Sequence, residues 1–277
     1  MLLYTSMSIA FAPSTIDWCE ANYTLSNIIA EPYNTFSGLF IAITAYILQQ
    51  KLENTSLYKK YTSSFSNISF LLFITSLGTI FFHGSLLFLF QLLDEIPMLL
   101  IGLQYTYILK NIEYDMSLPE VKTYGILDFL PTIVSHAMFL IPFAYYIHSY
   151  AQIMLFHFLI KCIETVVVFK LYRLSKNINR WFFSRIFQLY GNCIPQLCTH
   201  VISGINAKKI IKTYTYIGLI VYITSMGIWV AENMFCEKLR QFQLHAIWHM
   251  LSSIGIFYLN MIMIKYVEII SISKKLE

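Results

Sequence analysis

The sequence predicts an all-α, polytopic membrane protein of seven transmembrane helices. Three observations carry this. Of 277 residues, 57% are hydrophobic and only 12% charged, with a mean hydropathy of +0.60; a soluble domain carries about 25% charged residues. Seven stretches are long and apolar enough to cross a bilayer, which asks for about 20 residues. The Lys and Arg residues are concentrated on alternate connections between those stretches, as the positive-inside rule requires.

The stretches are 33–50, 64–83, 91–109, 125–147, 151–171, 213–235 and 245–265. The second ends on His83, and Asp94 lies at the start of the third. Pro97, Pro131 and Pro142 fall inside spans, where membrane helices tolerate them. The fifth holds Lys161 and Glu164, three apart and able to pair across one turn. The sixth ends with Glu232 and Asn233, read as supports of the loop that follows. The seventh opens with His245 and His249.

Of the 19 Lys and Arg, 16 fall on connections 1–2, 3–4, 5–6 and the C-terminal end, counting Lys170 and Lys265 at the span ends that lead into them; Lys238 and Arg240 fall on the other side, and Lys161 is inside the fifth stretch. The N-terminus is therefore expected in the lumen and the C-terminus in the cytosol. Residues 1–277 read as one domain with an unusually long cytosolic connection at about 172–212. Its Arg180–Ile211 part contains Arg185, Pro195, His200, Lys208 and Lys209, a poor spanning composition. An eighth span there would also put His245 and His249 on the opposite side from His83. The segment reads as a cytosolic or interface-lying loop.

The net charge of +4 and the lack of a basic patch interleaved with aromatics argue against a nucleic-acid partner. No Gly-rich phosphate loop occurs. No basic region precedes the first short apolar stretch, so no cleaved signal peptide is expected.

With seven spans, His83, Asp94, His245 and His249 all reach the lumenal side at similar depth. Polar groups at membrane depth are costly and mark function. His245 and His249 are four apart and share one helix face. As a pair they could equally be interfacial residues bonding loop carbonyls. With His83 and Asp94 they make three imidazoles and a carboxylate, the ligand set of a catalytic zinc with a position open for water. Thr79 is one turn before His83 on the same face; a Thr there also commonly bonds back to its own helix.

A second polar cluster runs Asp17-Trp18-Cys19-Glu20-Ala21-Asn22-Tyr23, followed by Glu31. Its oxygens suit Ca²⁺, and equally an interfacial loop with capping residues. Of five cysteines, Cys19 and Cys236 fall on the lumenal side, where disulfides persist. Cys162, Cys193 and Cys198 fall in the fifth helix or the cytosolic connection.

These motifs, with Ala30-Glu31-Pro32-Tyr33-Asn34-Thr35, Gln91-Leu92-Leu93-Asp94-Glu95-Ile96-Pro97-Met98, Phe235-Cys236 and Gln243-Leu244-His245-Ala246-Ile247-Trp248-His249, resemble the alkaline ceramidases. That family belongs to a wider group of seven-helix membrane hydrolases that includes the adiponectin-receptor-like proteins. The resemblance covers roughly 14–175 and 213–265. It implies a zinc ion on His83, His245 and His249, with Asp94 positioning and deprotonating the attacking water. It implies a calcium site on Asp17, Trp18 (by its carbonyl), Glu20, Asn22 and Glu31, and a lumenal disulfide between Cys19 and Cys236. It gives the Thr79 position a role in holding the oxyanion, with the departure that the family usually has Ser there.

The function implied is zinc-dependent hydrolysis of the ceramide amide, giving a sphingoid base and a fatty acid within the bilayer. The competing readings are a seven-helix receptor with structural zinc and a related membrane hydrolase acting on another lipid; the Asp17-to-Asn22 motif favours ceramidase over both. The chain ends Lys274-Lys275-Leu276-Glu277. That ending resembles the dilysine signal read by cytosolic coat proteins, and predicts an endoplasmic reticulum membrane protein that can cycle through the Golgi.

Overall fold

The computed structural model describes residues 11–55, 57, 59–116, 163, 167, 170–171, 174 and 194–275. The chain is all-α, with no strand among the described residues. Among the described residues, five helices can be followed along their length: α1 (Pro32–Glu53), α2 (Lys59–Ser85), α3 (Phe88–Asp115), α4 (Ile194–Leu239) and α5 (Leu244–Lys275), with a 3₁₀ turn at Arg240–Phe242 between the last two. The predicted span 125–147, most of 151–171, and the Lys161–Glu164 pair lie outside the described residues.

Four of these helices contain segments long and apolar enough to cross a membrane: Lys59–Ser85, Phe88–Asp115, Lys209–Phe242 and Leu244–Ser271. The helix α1 is 22 residues long but not among the four. Its Asn34, Thr35, Ser37 and Thr44 face inward and lower its hydropathy. Elsewhere the same inversion holds. Ser69, Ser76, Thr79 and Asn260 are buried, while Phe36, Phe40, Phe70 and Phe73 are exposed. A bilayer asks for that distribution, because small polar residues let helices approach and bond while apolar ones meet lipid.

The helix α1 packs on α2 and α5, α2 on α3, and α4 on α5. The helices α2 and α3 come close together at Gly78. A Cβ there would lie 2.4 Å from the Asp94 nitrogen and 2.4 Å from the Leu93 carbonyl carbon. Only glycine allows α2 and α3 to meet at this point.

In the connection expected at 172–212, nearly half, residues 194–212, is helical rather than loop. From Ile194 the chain is helical and runs through the predicted sixth span as far as the kink at Phe235. At 1.5 Å per residue this far exceeds a bilayer's thickness, so the apolar part begins only near Lys209. Pro195 sits in the first turn, where proline costs no helix hydrogen bond. Near the other end, Phe235 leaves helical geometry (φ −130°, ψ 32°), and the turn after it carries Cys236.

The segment before α1 is tied to the α2–α3 turn. Ala30 N–H donates to the Gly84 carbonyl and Glu31 N–H to the His83 carbonyl, both at 3.0 Å. Ser14 N–H donates to Leu86, and Phe88 N–H to Ala12. Cys19 and Cys236 are joined by a disulfide with Cα atoms 5.4 Å apart. It fastens this segment to the end of α4.

Candidate metal centre

His83 comes from the end of α2, and His245 and His249 from the first turns of α5. One ring nitrogen from each lies within 4.8 Å of the other two, and all three residues are buried. Among the described residues, this is the one group of three or more His, Cys, Asp or Glu side chains so converged.

Each Nδ1 is engaged by a different element. His83 Nδ1 is 2.5 Å from Glu31 Oε2, His245 Nδ1 is 3.1 Å from Glu232 Oε2, and His249 Nδ1 is 2.6 Å from Ser37 Oγ. Ser37 has one hydroxyl proton and gives it to the Asn34 carbonyl at 2.7 Å, so toward His249 it accepts. Carboxylates likewise accept only. Every Nδ1 is therefore the N–H donor, which leaves Nε2 as the nitrogen that could face an ion. His83 Nε2 is buried without a hydrogen-bond partner. Three neutral imidazoles with anchored Nδ1–H groups are the donor set that a divalent ion such as zinc takes. The residues present fit the ion.

Asp94 and Thr79 meet beside this trio. The Thr79 hydroxyl is 2.5 Å from Asp94 Oδ1 and 2.9 Å from the Thr75 carbonyl. Both partners accept, so its single proton is shared between them. The methyl that Thr79 has beyond Ser is directed at α1, 3.2 Å from where a Gly38 Cβ would stand.

The Asp17–Glu31 cluster is arranged differently. Asn22 Nδ2 donates to Asp17 Oδ1 at 3.0 Å, and Trp18 N–H donates to Glu31 Oε1 at 3.2 Å. Glu20 caps α1: its two oxygens accept from Tyr33 N–H and Asn34 N–H, both at 2.8 Å. A carboxylate suits a helix N-terminus, where N–H groups lack partners. Burial pushes the Glu20 carboxyl above the ordinary carboxylate range, and those two N–H groups pull it back. The carboxylates of Asp17, Glu20 and Glu31 do not converge as the histidines do. Glu31 instead joins the cluster to His83. The Trp18 ring stacks on His245, centroids 3.8 Å apart.

Two participants were missed by sequence reasoning. Ser37 gave no signal, since a Ser in a membrane helix ordinarily bonds to its own backbone. Glu232 was read as a loop support; its burial and its bond to His245 place it at the centre.

The ceramidase family profile matches residues 11–277. The chain belongs to the ceramidase family. A Dictyostelium discoideum relative, dcd3B, is 30% identical, with 88% of this chain and 84% of its own covered. Human alkaline ceramidase 1 is 28% identical over 90% of this chain and 81% of its own. The Arabidopsis thaliana alkaline ceramidase is 26% identical over 89% and 81%.

Proposed function

We propose that this ceramidase-family protein is a zinc-dependent hydrolase that cleaves the amide bond of ceramide. The observation that carries the reading is the histidine trio, with each Nδ1 anchored and one ring nitrogen from each within 4.8 Å of the other two. The similarity to named alkaline ceramidases supplies the substrate class. On this reading the protein is a seven-helix bundle, supported by four described helices that contain segments long and apolar enough to cross a membrane.

Zinc held by His83, His245 and His249 would lower the pKa of a bound water and polarise the amide carbonyl. The protein's own residues do the rest. Asp94 takes the proton from the attacking water and returns it to the leaving nitrogen, which departs as the amine of the sphingoid base. The acyl part leaves as a carboxylic acid. Thr79 holds Asp94 in position; once Asp94 is protonated, the Thr79 proton is available to the substrate oxygen. The apolar inner surface of the bundle takes the two long chains.

Calcium at the Asp17–Glu31 cluster stabilises the folded state by mass action. Asp17→Asn with Glu20→Gln should abolish any calcium-dependent rise in thermal midpoint; an unchanged rise refutes the assignment. The decisive experiment is mass spectrometry of a ceramide panel incubated with purified protein. Sphingoid base and fatty acid should form in equal amounts, stop with chelator and return with zinc. Zinc-loaded, folded protein that leaves every ceramide intact would overturn the reading.

A further inference from the structure

The Trp18 indole lies over one of the three histidines. Its ring stacks on His245, centroids 3.8 Å apart and planes 24° from parallel. His245 in turn lies against His83 and His249, with centroids 5.2 and 4.5 Å apart. The backbone holds the indole in place. Trp18 N–H donates to Glu31 Oε1 at 3.2 Å, and the next residue, Cys19, is joined to Cys236.

One polar atom of this ring is unspent. Trp18 Nε1 is buried and finds no hydrogen-bond partner among the described residues. An indole nitrogen only donates. Buried donors are almost always paired, so one left open beside a functional centre asks for an acceptor. Stacking alone does not need the N–H, since a phenyl ring would cover His245 too. The carboxylates nearest in the network do not take it: Glu31 bonds His83, and Glu232 bonds His245.

On the ceramide reading above, on which this inference rests, the substrate supplies the acceptor. The scissile nitrogen of ceramide is on one carbon of the sphingoid base, and the carbon on each side of it bears a hydroxyl. Both oxygens therefore stay close to the reacting bond wherever the two long chains run. Asp94 and Thr79, bonded to one another, act on the water and the carbonyl oxygen and leave the hydroxyls unread. A donor that reads a hydroxyl must stand beside the metal centre, and Trp18 Nε1 is on a ring stacked against it.

We propose that the Trp18 indole N–H donates a hydrogen bond to a hydroxyl oxygen of the sphingoid base, and so selects ceramides that carry that hydroxyl. This is a side-chain role, apart from the calcium contact expected of the Trp18 carbonyl.

The test compares ceramide with its 1-deoxy and 3-deoxy analogues of equal chain length, as substrates of the full, zinc-loaded protein and of Trp18→Phe. Phe keeps a ring on His245 and lacks the N–H. Wild type should favour ceramide over one analogue by about 3–10-fold in kcat/KM, the usual contribution of one neutral hydrogen bond. The analogue that suffers shows which hydroxyl is read. Trp18→Phe should lose that factor on ceramide, lose nothing on that analogue, and keep wild-type zinc. Should Trp18→Phe fail to fold, benzothienylalanine at position 18 makes the same comparison, with sulfur in place of N–H. A wild type indifferent to both hydroxyls overturns the proposal without any variant. So does a variant with unchanged preference, or one that slows on all three lipids alike, which would make the ring a support of His245 only. The three lipids are also titrated as ligands of zinc-loaded Asp94→Asn protein, with and without Trp18→Phe. If wild type hydrolyses none of them, the hydrolytic reading falls, and the binding preference and its loss in Trp18→Phe decide the proposal.

Discussion

Replacing Gly78 by Ala inserts one methyl between α2 and α3 at the point where Thr79 meets Asp94. The new Cβ would stand 2.4 Å from backbone atoms of Leu93 and Asp94, which cannot swing aside as a side chain can. Ordinary contact begins near 3.5 Å, so the helices must part by about 1 Å. The Thr79–Asp94 bond, 2.5 Å in this structure, would open to about 3.5 Å, beyond the range of an O–H···O bond. A misplacement of about 1 Å at a reacting group costs about 100-fold in rate. Overpacking adds a stability cost of about 1–3 kcal/mol. The histidine anchors Glu31, Ser37 and Glu232 do not run through this contact, so bound zinc should stay near wild type. The assay is ceramide turnover by purified protein at saturating substrate, with zinc measured on the same sample. Gly227→Ala is the control, because a Cβ there meets nothing within 4 Å. A Gly78→Ala protein with wild-type kcat would refute the argument that this helix contact positions Asp94.

Thr79→Ser should keep most of the rate, since it loses only the methyl packed at Gly38; Thr79→Val should lose about 100-fold with zinc retained, because the Asp94 partner is gone. Turnover by Thr79→Val equal to wild type, followed in the same assay, would show the hydroxyl idle. Glu232→Ala should weaken zinc binding about 10–100-fold in chelator competition, the usual cost of removing a ligand's outer partner. Unchanged competition would deny Glu232 that role. Lys274→Ser with Lys275→Ser should move the protein outward along the secretory pathway by microscopy; a retained reticular pattern would dismiss the tail as the address.

Much of the centre was legible because its signals are local. His245 and His249 share a face four residues apart, and Thr79 and His83 do the same. Parity of the spans then put both pairs at one depth. The anchoring of those rings was not legible. Ser37 and His249 are separated by 212 residues and meet only because α1 packs on α5. Nothing near Ser37 announces that. The reach of α4 was misjudged for a different reason. Charge and proline in Arg180–Ile211 speak against crossing a bilayer, but from Ile194 the chain stays helical outside it. Gly78 carries no motif at all; its meaning depends on which backbone lies opposite.

The order of the chain sets when the metal centre can exist. Glu31 and His83 come together early in synthesis, through backbone bonds between neighbouring segments. Glu232, His245 and His249 form a second half within 18 residues of one another, near the end. One half offers a single imidazole and the other two, so neither alone holds an ion with three ligands. The halves close only when α5 docks on α1 and Ser37 meets His249. On the proposed reading, a chain still being made would lack the complete site, and metal loading would follow the making of the last helix.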